Sequence, residues 1–248
     1  ELAKKLAAFE DIKVVYTLRA QAELVQSLWL QLARSDRVQA IYSYIHITLE
    51  KRRAFGVSID HSAIYESLLA GFAPEQIHLL DYGQISRGPG GVAQAFLDLL
   101  GADIKAEPLQ PLPQEDANIS PNPLCFWVAS QIAGGQQPDP ALLHHVSEIL
   151  SPEGLPTTLL ARHEELRFSS SYGPGNALLA ERVQPWQPGF TFTEPELPEN
   201  MLYREEIGQK QWTDIAAAAY GLQPPPTGTR PNILPRFRRQ LKRLRSGD

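Results

Sequence analysis

The feature that most constrains the fold of this chain is a strand that gives way to a helix within residues 12–31. The first part is an apolar, β-branched run around Val14, which is typical of a strand buried in a parallel sheet. After Arg19 the apolar residues recur at helical spacing, with Leu24 and Leu28 on one face. The sequence therefore predicts a strand–helix junction at Arg19, and open α/β sheets bind ligands at such junctions.

Two polar residues flank this junction at a spacing that suits an anion. Ser27 follows Arg19 by eight residues, which places it about two turns, or roughly 10 Å, along the helix. The guanidinium supplies a planar fork of donors, and the hydroxyl supplies one more. The start of the helix adds free N–H groups and a partial positive charge. These groups favour a phosphate site. The alternative is that Arg19 pairs with a surface carboxylate and that Ser27 is a small residue tolerated in the helix.

The wider motif around these two residues carries a family resemblance. The run R-x-Q-x-x-x-x-x-S-L-W-x-Q, preceded by I-x-V-V-Y-x-L, resembles the sulfotransferases that use 3′-phosphoadenosine 5′-phosphosulfate (PAPS). The resemblance implies that Arg19 and Ser27 bind the 3′-phosphate of PAPS, the co-substrate. Gln21, Trp29 and Gln31 match the pattern of bacterial and carbohydrate-directed members. The implied acceptor is a hydroxyl of a carbohydrate or small metabolite.

A second segment resembles the same family in the expected order. Residues 77–82 form a short apolar run that closes with Asp81 and Tyr82, and residues 92–100 follow as a helix that ends in F-L-D-L-L-G. Helical stretches separate the two strand-like runs. We therefore expect residues 12–18 and 77–82 to pair as neighbouring parallel strands.

Two further landmarks lie in the second half of the chain. Ser120 and Pro121 are predicted as the N-cap and first residue of a helix, because these residue types are favoured at those positions. Tyr172 and Asn176 match an aromatic–asparagine pair in the final helix of the family. Pro174 departs from that pattern and is expected to delay the helix until Asn176.

The match covers roughly residues 10–183, so residues 1–183 are assigned to a sulfotransferase-like domain. The fold it implies is α/β, with a P-loop-NTPase-like parallel sheet flanked by helices, incomplete at its N-terminus and helix-rich in its C-terminal half. Residues 184–248 are assigned to a proline-rich extension with a basic tail. The tail, residues 236–245, indicates either weak contact with an anionic membrane surface or a solvated helix.

Composition argues against several other functions. The net charge of −5 argues against a nucleic-acid binder. The single cysteine, Cys125, excludes an internal disulfide and a cysteine-based zinc site; no metal site is predicted, and the expected compartment is the cytoplasm. The glycine-rich residues 88–91 lack P-loop spacing. His46, which lies among aromatic residues, is interpreted as a packed or surface residue.

Two parts of the sulfotransferase machinery are not recognisable in this sequence. These are the lysine-bearing loop that holds the 5′-phosphosulfate and the glutamate or histidine that acts as general base. Both normally precede the segment that matches residues 12–31, so no catalytic residue is assigned, and we expect the chain to be the C-terminal part of a sulfotransferase domain. The alternatives are a non-catalytic sulfotransferase-like module that binds a partner or membrane, and a P-loop kinase with its motif upstream. The oligomeric state is left open.

Overall fold

The structure, a computed structural model, describes residues 5–6, 8–35, 40–106 and 120–219. The strands are β1 Val14–Leu18, β2 Arg53–Ala54, β3 Val57–Ser58, β4 Ile77–Asp81, β5 Thr157–Thr158 and β6 Leu202–Tyr203. The helices are α1 Gln21–Ala33, α2 Ile41–Lys51, α3 His61–Leu69, α4 Tyr82–Ile85, α5 Gly91–Leu99, α6 Pro123–Ile132, α7 Pro140–Leu150, α8 Arg162–Val183 and α9 Gln209–Ala219. This part of the chain is an α/β fold with small sheets and many helices, which confirms the predicted fold class at that level.

Strands β1 and β4 pair in parallel, with Val14 opposite Ile77 and Leu18 opposite Asp81. This confirms the pairing predicted from the two apolar runs. The other sheets are also two-stranded: β2 and β3 pair antiparallel, whereas β5 and β6 pair in parallel. Parallel strands need a long crossover, and here α1, α2 and α3 lie between β1 and β4.

Helix α1 begins two residues after Arg19, as the change of apolar period predicts. Its buried face includes Val25 and Trp29, which belong to one core cluster with Phe126 of α6 and Phe168 of α8. The Trp29 and Phe126 rings meet edge to face, with centroids 6.4 Å apart, an arrangement that aromatic pairs prefer. Packing on both α6 and α8 fixes the direction in which the other face of α1 points.

The apolar pattern of the segment after α1 fits either a strand or a helix. The structure shows helix α2, whose buried face includes Tyr44. The Tyr44 hydroxyl donates a hydrogen bond to the Val25 carbonyl at 2.9 Å, which ties α2 to α1. His46 is exposed on the opposite face, so it is a surface residue.

The start of α6 differs from the prediction at Ser120 and Pro121. The helix begins at Pro123, and the side-chain oxygen of its N-cap, Asn122, accepts a hydrogen bond from the Leu124 N–H at 3.0 Å. A helix that began at Pro121 would need a helical backbone at Asn122, which the ring of the following proline disfavours. The cap therefore lies two residues further along the chain.

Helix α8 also differs from its prediction. It begins at Arg162 and continues through Pro174, whereas the prediction started the helix at Asn176. Proline has no N–H to donate to the carbonyl four residues earlier, here that of Ser170. The guanidinium of Arg52 donates to the adjacent Ser171 carbonyl at 3.0 Å, and it thereby supplies an outside donor to this turn. Tertiary contacts thus hold a helix that local sequence rules interrupt.

The residues after α8 pack on the preceding fold. Phe190 belongs to the core cluster that contains Leu18 and Leu79. The Gln187 side chain donates to the Leu79 carbonyl at 2.6 Å and accepts from the Leu79 N–H at 2.9 Å, so it continues the hydrogen bonding of β4. The domain boundary after residue 183 stays a prediction.

The proposed basic tail, residues 236–245, lies outside the described residues. Residues 1–4, 7, 36–39 and 107–119 also lie outside them. Within the described ranges, none of the helices combines the length and apolar character needed to cross a membrane.

Candidate functional site

Arg19 and Ser27, the two residues that the sequence singled out, line one cavity of about 500 Å³. The cavity opens beyond the C-terminal end of β1. Tyr82 and Asn122 form other parts of its wall, and Glu23 also faces it. The spacing across the strand–helix junction therefore brings the guanidinium and the hydroxyl to the same space.

Two contacts orient the Arg19 side chain, which is about a third exposed. Its Nε donates to a carboxylate oxygen of Glu23 at 3.1 Å. Its guanidinium carbon lies 5.0 Å from the centre of the Tyr82 ring, within cation–π range. Among the described residues, the two terminal nitrogens of Arg19 have no hydrogen-bond partner, so they are available to a ligand in the cavity.

The backbone of Arg19 is held by a buried histidine that the sequence analysis missed. His61, the first residue of α3, is 1 % exposed, and its Nε2 lies 2.8 Å from the Arg19 carbonyl oxygen. Because a carbonyl only accepts, Nε2 carries the proton and Nδ1 accepts from the Tyr16 hydroxyl at 2.7 Å. Burial lowers the pKa of His61, which keeps the ring neutral in this role.

Asp81 and Tyr82, the predicted acidic–aromatic pair, have different roles at the end of β4: Asp81 accepts backbone hydrogen bonds, and Tyr82 lines the cavity. Asp81 is buried and accepts hydrogen bonds from the N–H groups of Gly83 at 2.8 Å and Thr193 at 2.9 Å. These bonds start α4 and anchor the segment that follows α8. Tyr82 faces the cavity, where it stacks against Arg19.

A larger cavity of about 710 Å³ adjoins the first one. Glu23, Gln26 and Thr157 form parts of both walls. Gln26 is held in place because its side-chain oxygen accepts from the Leu159 N–H at 2.7 Å. The shared wall places the two cavities side by side at the same end of the β1–β4 sheet.

Glu165, on the first turn of α8, faces this larger cavity although it is only 7 % exposed. Burial raises the pKa of its carboxyl group to about 7, and repulsion from Glu23 and Glu194 adds to the effect. Its neighbour Glu164 is equally buried but accepts from the Arg204 guanidinium at 2.9 and 3.0 Å. The sequence analysis missed Glu165, since an acidic first turn is an ordinary feature of helices.

The predicted landmark Asn176 belongs to a buried network that joins the start of α1 to the wall of the larger cavity. Its amide exchanges two hydrogen bonds with Gln21, at 3.0 and 3.1 Å, and donates to Glu194 at 2.9 Å. Gln21 begins α1 and Glu194 lines the larger cavity, so Asn176 links the two. Tyr172 is buried in the core below, with Arg52 over its ring at 5.1 Å.

Within the described part of the chain, no group of three or more histidine, cysteine or acidic residues is arranged to hold a metal ion. No protein-family model, curated protein or solved structure matches this chain. The chemistry open to the site therefore has to be argued from its own side chains. They comprise an arginine and a serine that line one cavity, and, in the adjacent cavity, a carboxyl group that has no partner among the described residues.

Proposed function

We propose that this chain is a PAPS-dependent sulfotransferase that transfers a sulfuryl group to a hydroxyl of a carbohydrate or small metabolite. The proposal includes a P-loop-NTPase-like core around the β1–β4 sheet. One observation carries it: Arg19 and Ser27 line the same cavity at the end of a parallel strand. This is the arrangement that the motif resemblance requires of a 3′-phosphate site.

The contacts of Arg19 support an anion site. Glu23 occupies Nε and Tyr82 lies against the guanidinium, which leaves both terminal nitrogens as a fork for two phosphate oxygens. The N-cap of α1 is Ala20, which has no side chain to bond the first-turn N–H groups. The helix dipole favours a negative charge near this end of α1, although Glu23 is the one first-turn residue that lines the cavity.

Glu23 is the feature least expected beside a phosphate, because its own charge opposes an anion. It nevertheless fixes the guanidinium through an ion pair spanning one helical turn, at 3.1 Å. The phosphate is proposed to bind the terminal nitrogens and Ser27 without displacing this pair. Cys125 is free and buried, which is compatible with the reducing cytoplasm proposed for this reaction.

The test is product formation by the full-length protein that contains this chain, incubated with PAPS and a panel of neutral sugars and simple alcohols. Chromatography separates 3′-phosphoadenosine 5′-phosphate, the nucleotide product, from PAPS. The proposal predicts product that depends on the acceptor and is lost in Arg19→Ala. A non-catalytic module would bind the nucleotide without acceptor-dependent product, and a kinase would consume a nucleoside triphosphate instead.

A further inference from the structure

Among the residues that the structure describes, Glu165 is the buried carboxyl group without a structural partner. Within the described residues its side chain makes no hydrogen bond or ion pair. The adjacent Glu164 shows what a structural glutamate does here, since it caps the Ala161 N–H at 2.7 Å and pairs with Arg204. Buried charges are normally paired. An unpaired carboxyl group that faces a cavity therefore points to a ligand or a proton.

The position of Glu165 relative to the proposed nucleotide clamp is defined by Glu23. Glu23 accepts from Arg19 Nε in the smaller cavity, and it faces Glu165 in the larger cavity closely enough to raise the pKa of Glu165. Gln26 and Thr157 complete the wall that the cavities share. A donor held by Arg19 would thus extend toward the space that Glu165 faces.

We propose that the larger cavity is the acceptor site and that Glu165 is the general base that takes the acceptor's hydroxyl proton, an inference that rests on the proposed sulfuryl transfer. As the acceptor oxygen forms its bond to sulfur, the sulfur–oxygen bond to the 5′-phosphate of PAPS breaks. That bridging oxygen leaves with the electron pair on 3′-phosphoadenosine 5′-phosphate. The proton moves from the acceptor hydroxyl to a Glu165 carboxylate oxygen, so atoms and charge balance.

The charges around the cavity also define the class of acceptor. Glu23 comes from α1, Glu194 and Glu196 from the segment before β6, and Arg87 from the turn after α4. Counting Glu165, the described residues that line the cavity supply four carboxyl groups and one guanidinium. A neutral polyol or a hydroxyl compound with an ammonium group fits this field, whereas an acceptor that already carries a carboxylate or sulfate is repelled.

Glu165 has the acidity that the role requires. A general base works best when its pKa lies near the working pH, and burial with repulsion from Glu23 and Glu194 raises the pKa of Glu165 to about 7. The neighbouring carboxyl group on this turn does not compete, because Glu164 is paired with Arg204. The reaction is therefore expected to speed up as pH rises through about 7.

The experiment compares the wild-type chain with Glu165→Gln, which keeps the shape of the side chain, and Glu165→Asp. Glu181→Gln is the matched control, because Glu181 is exposed on the same helix and outside both cavities. Glu165→Gln should lower kcat by about 10²- to 10⁴-fold and remove the limb of the pH profile near 7. Affinity for 3′-phosphoadenosine 5′-phosphate should stay unchanged, and Glu165→Asp should restore part of the rate.

A second arm needs no turnover. Glucosamine, methyl glucoside and glucuronate are titrated into the complex with 3′-phosphoadenosine 5′-phosphate, as cationic, neutral and anionic probes. Glucosamine should bind most tightly and glucuronate least, and Glu165→Gln should weaken glucosamine binding by about tenfold, the effect of losing one charge-assisted contact.

Two results would overturn the inference: a Glu165→Gln chain with wild-type rate and pH profile, or equal binding of the three probes. If the nucleotide still binds through Arg19 in either case, only the role of Glu165 fails. If the nucleotide itself does not bind, the proposed function fails first.

Discussion

His61 donates a hydrogen bond to the backbone carbonyl of Arg19, with 2.8 Å between Nε2 and the oxygen. The histidine begins a helix 42 residues further along the chain, yet it fixes the residue that ends the first strand. On its other side the ring accepts from Tyr16, a residue of that same strand. The direction of the Arg19 side chain thus depends on a buried histidine that does not face the cavity.

Replacing His61 with phenylalanine should therefore affect both stability and nucleotide affinity. The change leaves a buried carbonyl and the Tyr16 hydroxyl without partners, each of which costs about 1–3 kcal/mol when unsatisfied. Thermal unfolding should show the loss, and calorimetry should show several-fold weaker binding of 3′-phosphoadenosine 5′-phosphate. Tyr16→Phe is the control, because it spares the bond to Arg19 and should leave affinity near wild type. Equal affinities in wild type and His61→Phe would show that the bond does not position Arg19.

The buried histidine also predicts how stability depends on pH. Burial lowers the pKa of His61 below its ordinary 6.5 in the folded chain. Below about pH 6.5 the unfolded chain binds a proton at this residue that the folded chain excludes. The free energy of unfolding therefore decreases as the pH is lowered. Because His61→Phe lacks this proton, its deficit relative to wild type should shrink on acidification. A deficit that is constant from about pH 7 to about pH 5 in urea unfolding would contradict the assignment.

The raised pKa of Glu165 predicts that the free energy of unfolding depends on pH with the opposite sign. Its pKa rises from 4.5 to about 7 on folding, so between these values the folded chain keeps a proton that the unfolded chain has lost. Stability contributed by this group therefore falls as pH rises. Glu165→Gln should gain on wild type by about 2–3 kcal/mol between about pH 5 and pH 8, since one pKa unit corresponds to roughly 1.4 kcal/mol. Urea unfolding at the two pH values measures this gain, and a stability difference between variant and wild type that is the same at both pH values would refute it.

The neighbouring Glu164 should respond in the ordinary way of a structural ion pair. Its carboxylate and the Arg204 guanidinium are both nearly fully buried. Glu164→Gln leaves the guanidinium uncompensated, and breaking a buried pair from one side costs roughly 3–5 kcal/mol. Thermal unfolding should show a large loss at neutral pH. A loss no greater than that of the exposed control Glu181→Gln would show that the pair contributes little.

The strand–helix junction and the β1–β4 pairing could be predicted because both follow from local patterns. Apolar periodicity identifies each element, and the crossover rule sets the direction of the second strand. The convergence of Arg19 and Ser27 follows from helical geometry alone. The prediction of the α6 N-cap was wrong although it also used a local pattern. Ser120-Pro121 and Asn122-Pro123 are both suitable starts for a helix, and the choice between them depends on packing.

The proposed roles of Glu165 and His61 could not be predicted in this way. Glu165 is distinguished from Glu164 only by which one meets Arg204, and that depends on α8 and the segment around β6 coming together. The role of His61 likewise depends on α3 docking at the end of β1. Burial and pairing of a titratable group are tertiary properties, which a short sequence window does not contain.

Replacing Glu23 tests whether its charge acts on both cavities, because it lines both. Glu23→Gln removes a negative charge beside the proposed 3′-phosphate and frees Arg19 Nε. We expect binding of 3′-phosphoadenosine 5′-phosphate to strengthen severalfold, as expected for removing a partly exposed like charge. The same change should lower the pKa of Glu165, since one of its repulsive neighbours is gone. Carboxyl-carbon NMR titration follows the second effect, and an unchanged midpoint would show that the carboxylates do not interact.

The most direct measurement is calorimetric titration of Arg19→Ala with 3′-phosphoadenosine 5′-phosphate and with adenosine 5′-phosphate, which lacks the 3′-phosphate. A charge-assisted hydrogen bond contributes about 1.5–3 kcal/mol, so affinity for the first nucleotide should fall by about 10- to 150-fold. Arg19→Lys should recover only part of it, because lysine keeps the charge but lacks the fork, and Ser27→Ala should cost less. Adenosine 5′-phosphate should respond little to any of these changes. Equal losses for the two nucleotides, or no loss for either, would contradict a 3′-phosphate site at Arg19.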